Sequence, residues 1–268
     1  MARPSLQLGD SGKYVEELQV LLNGILKNED RTDYDYLSDI KVNGKFNNHT
    51  KRFVEMYQDS ACLYKDGKVG PKTWAALLCE EKYNCYDLPN LVSANDETDC
   101  WAAATAMLLD QPYPIDRNMV SDQSIIFENR TDGQVGGLYN SDENMRAFSR
   151  YFNFEMVKGE LTCSQLSELV HRYGRIMLNM KGVDSYMRGG NSNNSHFVVL
   201  VGLRGGGNAG DTTLLMYNPS ATPGNAGVRL NASYQYFRWK YPKFTFQAFY
   251  FLANWSEPIY KSNGAVSY

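Results

Sequence analysis

Apolar residues recur at helical spacing in three short segments within the first 80 residues. Asp10 and Ser11 precede the first segment and are suited to cap a helix. Residues 48–57 predict a second helix, and Pro71 fits the first turn of a third, PKTWAALL. Turns that contain glycine separate the three. The apolar positions of the first segment are Val15, Leu18, Val20, Leu21 and Leu22.

A second group of helices is predicted between residues 99 and 174. The small apolar run that follows Asp99 predicts a helix to about residue 110. Ser141 is placed to cap the helix SDENMRAFSRYF. Thr162 and Gln165 occupy capping-box positions in TCSQLSELVHRYG, and Gly174 is placed to end that helix.

After Gly174 the pattern changes to short β-branched or aromatic runs separated by Gly, Asn and Pro. Helices followed by antiparallel strands predict an α+β fold. No internal repeat is evident. The runs predicted as strands are RIMLNM, HFVVLVGL, TTLLMYN, YQYFRW and FQAFYFLA.

Composition and charge limit the classes of function that this chain can have. A chain of 268 residues with 43% hydrophobic and 21% charged residues can bury one large core or two smaller ones. The net charge of −3 argues against nucleic acid as the main partner, because no basic surplus is present to neutralise phosphates. No stretch has the length of a transmembrane helix. The start, MARPSLQLGDSG, lacks the apolar region of a signal peptide, so we expect export by another route than general secretion.

The five cysteines do not follow a zinc-binding spacing, and an odd number leaves at least one unpaired. Cys79 and Cys85 are candidates for a disulfide, although two ordinary buried thiols are the favoured interpretation. The sequence predicts no metal and no organic cofactor. The remaining cysteines are Cys62, Cys100 and Cys163.

The first segment resembles the bacterial peptidoglycan-binding domain. The resemblance covers about residues 5–80 and is carried by LQLGDSGKYVEELQVLLN, VNGKFNNHTKRFVEMYQ and DGKVGPKTWAALL. An acidic insert, KNEDRTDYDYLSDIK, departs from the family pattern. The resemblance implies that this segment docks on cell-wall peptide stems or glycan. Within the motifs, Gly44, Gly67 and Gly70 permit tight turns, and Trp74 is expected to anchor the core.

Three residues further along the chain have the chemistry of a cysteine nucleophile and its helpers. Cys100 opens DCWAAATAML, so its thiol is predicted at a helix start, where the dipole favours the thiolate. His196 leads the apolar strand run HFVVLVGL and can serve as proton acceptor. Asn218 ends the next strand and can orient the imidazole. Trp101 is expected to pack in the core behind the thiol.

This order of residues resembles the papain-like cysteine peptidases over about residues 88–255, most specifically in CWAAATAML. The resemblance implies that Cys100 is the nucleophile, His196 the general base and later acid, and Asn218 the orienting residue. Papain-like enzymes place a glutamine six residues before the cysteine to stabilise the oxyanion, and here that residue is Ala94. Asn95 is the nearest side-chain amide and is the candidate replacement.

The other two histidines and the glycine-rich loop are interpreted as structural features rather than as parts of an active site. His49 falls within the wall-binding motif, and His171 is expected on the solvated face of a helix. The run RGGGNAGD lacks the elements of a dinucleotide-binding fingerprint and predicts a flexible loop, with Asp211 as a surface charge.

Together these observations predict a three-helix peptidoglycan-binding domain at residues 1–82 and a papain-like cysteine hydrolase at residues 88–268. The favoured function is hydrolysis of an amide in cell-wall peptide, by an antibacterial effector or a lysin acting at the wall or periplasm. Peptidoglycan is the expected partner, and an effector would also meet a cognate immunity protein. The alternatives are a wall-anchored protease acting on proteins and a wall-binding protein without activity.

Overall fold

A computed structural model describes residues 3–28, 39–94, 99–111, 120, 123–129, 135–139, 141–181, 195–219, 228–235 and 245–251. The chain divides into two compact units, one containing Met1–Asn84 and the other Cys85–Tyr260. We describe each unit separately.

The first unit contains the three helices expected from the sequence, α1 (Lys13–Asn28), α2 (Asn48–Ser60) and α3 (Pro71–Leu77). The side chain of Asn47 caps α2 by accepting from the backbone N–H of Thr50 at 2.9 Å. Its core includes the indole of Trp74, as predicted. The apolar residues of this core include Leu6, Val15, Leu18, Leu22, Phe46, Phe53, Val54, Val69, Trp74 and Leu77.

A buried glutamine on α1 organises the turn before α2. The Oε1 atom of Gln19 accepts from the backbone N–H groups of Asn43 and Gly44 at 2.9 and 3.0 Å. Its Nε2 atom donates to the carbonyl of Lys45 and to Oγ1 of Thr50, both at 3.1 Å. Gly44 has φ +63°, which favours glycine. One side chain therefore satisfies the turn and the first residues of the next helix.

The same arrangement occurs at the end of α2. Oε1 of Gln58 accepts from the N–H groups of Asp66 and Gly67 at 3.1 and 2.8 Å. Nε2 donates to the carbonyl of Lys68 at 2.8 Å and to Oγ1 of Thr73 at 3.3 Å. The first unit thus contains a structural repeat that the sequence analysis missed. The glutamine lies 25 residues before its turn glycine in one copy and 9 in the other, which hides the period.

The second unit is built from helices and an antiparallel sheet. Its helices are α4 (Cys100–Leu109), α5 (Asp142–Tyr151) and α6 (Cys163–Tyr173). The strands, counted from the unit boundary, are β1 (Tyr83–Tyr86), β2 (Phe127–Asn129), β3 (Val135–Leu138), β4 (Glu155–Lys158), β5 (Ile176–Lys181), β6 (Ser195–Gly205), β7 (Thr213–Asn218), β8 (Val228–Ser233) and β9 (Thr245–Phe251).

Six strands of the main sheet lie in the order β4-β9-β5-β6-β7-β8, with every neighbouring pair antiparallel, and β1 pairs with β6 in addition. β2 and β3 form a separate hairpin. Helices α4 and α6 both pack against β5 and β6. The predicted α+β class is confirmed for the part of the chain that the structure describes.

The centre of this sheet is predominantly apolar. Helices cover β5 and β6, so their inward residues and those of β7 have almost no exposed surface. The apolar core there includes Ile176, Met177, Leu178, Val198, Val199, Leu200, Val201, Leu203, Leu214 and Leu215.

One predicted strand is wrong in part. The run YQYFRW was expected to be a strand, but Tyr234 and Gln235 form a helical turn after β8, and residues 236–239 lie outside the described residues. The strand next to β7 is instead Val228–Ser233, whose sequence VRLNAS alternates apolar and polar residues. This period-2 pattern, rather than aromatic content, marks the strand.

The loop between β6 and β7 was expected to be flexible, with Asp211 as a surface charge. Instead Asp211 organises it, because its Oδ1 atom accepts from the N–H groups of Gly206 and Asn208 at 3.1 and 3.4 Å. The N–H of Gly207 donates to Oγ1 of Thr212 at 3.0 Å. Hydrogen bonds from its own side chains therefore give this glycine-rich loop a defined conformation.

Strand β1 packs very closely on β6 at Gly202. A Cβ atom at Gly202 would lie 2.3 Å from Cδ1 of Tyr86 and 2.8 Å from the carbonyl oxygen of Cys85. The pairing of β6 with β7 also shifts register between Leu200 and Gly202. Glycine is required there because any side chain would separate β1 from β6.

Candidate active site

Cys100 is the first residue of α4, and its side chain is buried. The helix is apolar and is buried from Cys100 through Leu108, so it lies inside the unit rather than on its surface. Asp99 occupies the N-cap position, but its side chain makes no capping hydrogen bond. The carboxylate of Asp99 therefore does not cap the first turn of α4.

His196 and Asn218 meet at one end of the main sheet. The Nε2 atom of His196 lies 2.7 Å from Oδ1 of Asn218, and both side chains are buried. Because an amide oxygen can only accept, Nε2 must carry the proton of this hydrogen bond. In the neutral ring, Nδ1 is then the basic nitrogen. The asparagine thus fixes both the tautomer and the orientation of the imidazole.

The pairing of β6 with β7 explains why these two residues meet. Val199 of β6 lies opposite Tyr217 of β7, so the last residue of β7 falls beside the beginning of β6. His196 is the second residue of β6, and Asn218 is the last of β7. The antiparallel register therefore brings together residues that are 22 positions apart.

Helix α4 is seated on the strands that carry this pair. It packs against β6 and β5, and Oγ1 of Thr105 lies 3.8 Å from Sδ of Met177 on β5. Trp101 packs at ring-centroid distances of 5.1 Å from Phe127 and 6.1 Å from Phe148. Its burial agrees with the expected core role. The structure therefore places Cys100 at the start of a helix that packs on the strand of His196.

The segment before α4 is held against the residue that follows Asn218. The backbone N–H of Ala94 donates to the carbonyl of Pro219 at 2.9 Å. Ala94 stands where a papain-like enzyme has its glutamine, and here it contributes a backbone contact. Asn95, the candidate replacement, lies outside the described residues.

The other two histidines lie elsewhere. The ring of His49 on α2 meets the ring of Phe53 edge-on at 4.9 Å, within the first unit. His171 was expected on a solvated helix face, but its Nδ1 atom lies 3.4 Å from Sγ of Cys85 on β1. This contact joins residues 86 positions apart, which helix periodicity cannot reveal. None of the five cysteines forms a disulfide, as the sequence interpretation favoured, but Cys79 is exposed rather than buried.

A buried ion pair lies near the C-terminal end of α4. Oδ2 of Asp87 is 3.3 Å from Nε of Arg175, and both side chains are almost fully buried. Burial raises the pKa of Asp87 above 3.8, while the charge of Arg175 opposes that shift. Asp110, the residue after α4, adds a second carboxylate 4.0 Å from the guanidinium. This cluster ties the end of α4 to the residue that precedes β5.

Comparison with known proteins characterises the first unit. Residues 11–77 match the family model described as "Putative peptidoglycan binding domain". The match supports a peptidoglycan-binding domain at the N-terminal end of the chain, with peptidoglycan as a partner and the cell wall as a site of action. No curated protein matches the chain.

Among solved structures, the chain is similar to the endolysin of Burkholderia phage AP3. The identity is 18% and the TM-score 0.24, over 56% of this chain and 62% of the endolysin, so less than two thirds of the endolysin is covered. Such a score establishes no shared fold, and the chemistry of the second unit rests on its own residues. None of the helices in the described ranges has the length and apolar character of a membrane span.

Proposed function

We propose that the protein is a cysteine hydrolase that cleaves an amide bond in the peptide of peptidoglycan. The observation that carries the proposal is the buried hydrogen bond of 2.7 Å between His196 and Asn218. A buried imidazole fixed by an amide oxygen is the arrangement that a cysteine nucleophile requires of its base. The strand that holds it packs against the helix that begins with Cys100.

In the proposed mechanism, Nδ1 of His196 accepts the proton of the Cys100 thiol, and the thiolate attacks the amide carbonyl. The tetrahedral intermediate collapses as the C–N bond breaks, and His196 returns the proton to the leaving amine. This leaves a thioester on Cys100. Water, deprotonated by His196, then attacks the thioester and releases the carboxylic acid and the thiol.

The oxyanion is stabilised at the start of α4. We assign one donor to the backbone N–H of Cys100, because helix N-termini present N–H groups that attract negative charge. A single donor of this kind is typically worth about 3 kcal/mol of barrier. Ala94 supplies no side-chain donor, so the second donor is assigned to Asn95.

The first unit increases the local concentration of the hydrolase at its polymer. Docking on peptidoglycan converts the encounter with the scissile bond into an intramolecular event, which raises the effective concentration of the active site. This is the reason to prefer a wall amide over other peptide bonds. Delivery as an antibacterial effector further implies an inhibitor protein, encoded by a neighbouring gene, that covers Cys100. Delivery as a phage lysin implies no such protein.

Digestion of purified sacculi tests this proposal. The full chain and its Cys100→Ala variant are incubated with sacculi, and the soluble products are identified by mass spectrometry. We expect new muropeptides from the wild type that are absent with Cys100→Ala and that persist in the presence of a metal chelator.

A parallel incubation with casein distinguishes peptidoglycan hydrolysis from the main alternative, a protease that acts on proteins. Cleavage of casein without release of muropeptides would instead identify a wall-anchored protease. If neither substrate is cleaved by correctly folded protein that still binds sacculi, the chain is an adhesion protein.

A further inference from the structure

A second thiol–imidazole contact lies in the same unit, apart from the residues of the proposed mechanism. Sγ of Cys85 is 3.4 Å from Nδ1 of His171, within hydrogen-bond distance for sulfur. Cys85 is buried on β1, while His171 is partly buried in the last turn of α6. The mechanism uses neither residue.

The imidazole reaches Cys85 from the end of a helix. His171 and Arg172 lie in the last turn of α6. A ring nitrogen of His171 is thereby placed next to the sulfur, where it can accept the thiol proton.

The contact belongs to a polar seam between β1 and the end of α6. Two residues beyond Cys85, Asp87 pairs with Arg175, which is four residues beyond His171. The ion pair thus joins the residue after β1 to the residue before β5, a few positions along the chain from the thiol and the imidazole. Within the described residues, no three His, Cys, Asp or Glu side chains are grouped to hold a metal ion, so a metal site is not supported.

We propose that Cys85 is a modification site whose thiol, activated by His171, reacts with small peroxides. Nδ1 of His171 accepts the thiol proton, and the thiolate sulfur attacks one oxygen of the peroxide. The S–O bond forms as the O–O bond breaks, so the sulfur loses two electrons and the peroxide is reduced. The departing hydroxide takes the proton from His171, which gives a sulfenic acid and water.

Cys163 offers a matched control within the same unit. It has the same exposed fraction as Cys85, 6%, so access by a small reagent is comparable. It differs in position, as the first residue of α6 rather than a strand residue beside an imidazole. A difference in rate between the two thiols therefore reports their chemistry rather than their burial.

The experiment treats the full-length protein with hydrogen peroxide and traps sulfenic acid with dimedone. Peptide mass spectrometry then gives the rate for each cysteine separately. We expect Cys85 to be labelled about tenfold faster than Cys163, and His171→Gln to remove most of that difference. Cys85→Ser verifies the assignment of the peptide.

Equal rates at Cys85 and Cys163 would overturn the proposal, as would an unchanged Cys85 rate in a folded His171→Gln protein. If that variant does not fold, the wild-type comparison alone decides. The result is independent of muropeptide release, since peroxide labelling requires no activity of Cys100.

Discussion

Helices α4 and α6 both begin with a buried cysteine, yet their first turns are built differently. Cys100 and Cys163 have the same exposed fraction, 6%. Around Cys163, Thr162 and Gln165 form a complete capping box, in which each side chain accepts from the backbone N–H of the other residue. In front of Cys100, the Asp99 side chain makes no capping bond. Burial at a helix start is thus shared, whereas a side-chain cap from the preceding residue is found only in front of Cys163 among these two helices.

The cysteine and histidine associated with each helix are arranged in opposite ways. Helix α4 has the cysteine at its start, and His196 comes from the strand on which the helix packs. Helix α6 has the histidine in its last turn, and Cys85 comes from the strand. The cysteine and the histidine thus exchange places between helix and strand.

The largest expected effect comes from removing one cysteine or the other. Cys100→Ala should reduce muropeptide release by at least about 10³-fold, because the proposed nucleophile is lost. Cys163→Ala, the matched change at the other helix start, should leave the rate within about threefold. Equal losses in both variants, measured on folded protein, would remove the distinction between the two helix starts.

Asn218 tests whether orientation of the imidazole matters. Asn218→Ala should lower kcat by about 10² while KM changes little, because the ring loses the acceptor that fixes its tautomer. Asn218→Asp retains an acceptor at the same place and should recover much of the rate. An alanine variant with unchanged kcat would show that His196 needs no orienting partner.

Thr162→Ala makes the start of α6 more like that of α4. Loss of the cap should lower the free energy of unfolding by about 1 kcal/mol, measured by denaturant titration. It should also raise the alkylation rate of Cys163 by iodoacetamide about threefold, since the freed N–H groups favour the thiolate. Unchanged alkylation despite the lost stability would mean that capping does not control this thiol.

The smallest effect concerns the ion pair near the end of α4. Burial raises the pKa of Asp87 above 3.8, so the folded state binds this proton more tightly than the unfolded state. The contribution of Asp87 to the free energy of unfolding is therefore present below its pKa in the unfolded state. That contribution is lost as the pH rises through its pKa in the folded state, so Tm should fall over this pH range. Asp87→Asn should reduce the fall in Tm with increasing pH. A steeper fall in Tm for Asp87→Asn would contradict a raised pKa of Asp87.

The sequence predicts the local elements of this fold well. The caps at Ser141 and Thr162 and the proline that begins α3 occur where they were expected, because capping depends on residues within a few positions. The meeting of His196 and Asn218 was also predictable, since two adjacent strands joined by a short loop must pair.

The missed features depend on contacts between distant residues. Gln19 and Gln58 each donate a hydrogen bond to a threonine of the next helix. The residues next to them in the sequence do not indicate this role. The contact of His171 with Cys85 and the approach of Tyr86 to Gly202 arise only when β1 joins the sheet. Periodicity describes which face of an element is apolar, but it does not identify the residue that lands opposite.

The clamp made by Gln19 has a consequence for engineering. It reaches from α1 directly to the turn at Asn43 and Gly44, and the side chain of Asn23 exchanges two hydrogen bonds with the backbone of Ile40. Both contacts hold the chain at residues 40–44, where the segment that follows α1 leads into the turn before α2. We expect that residues between the end of α1 and Ile40 can be shortened, lengthened or replaced by a tag or affinity module without loss of the fold of the first unit.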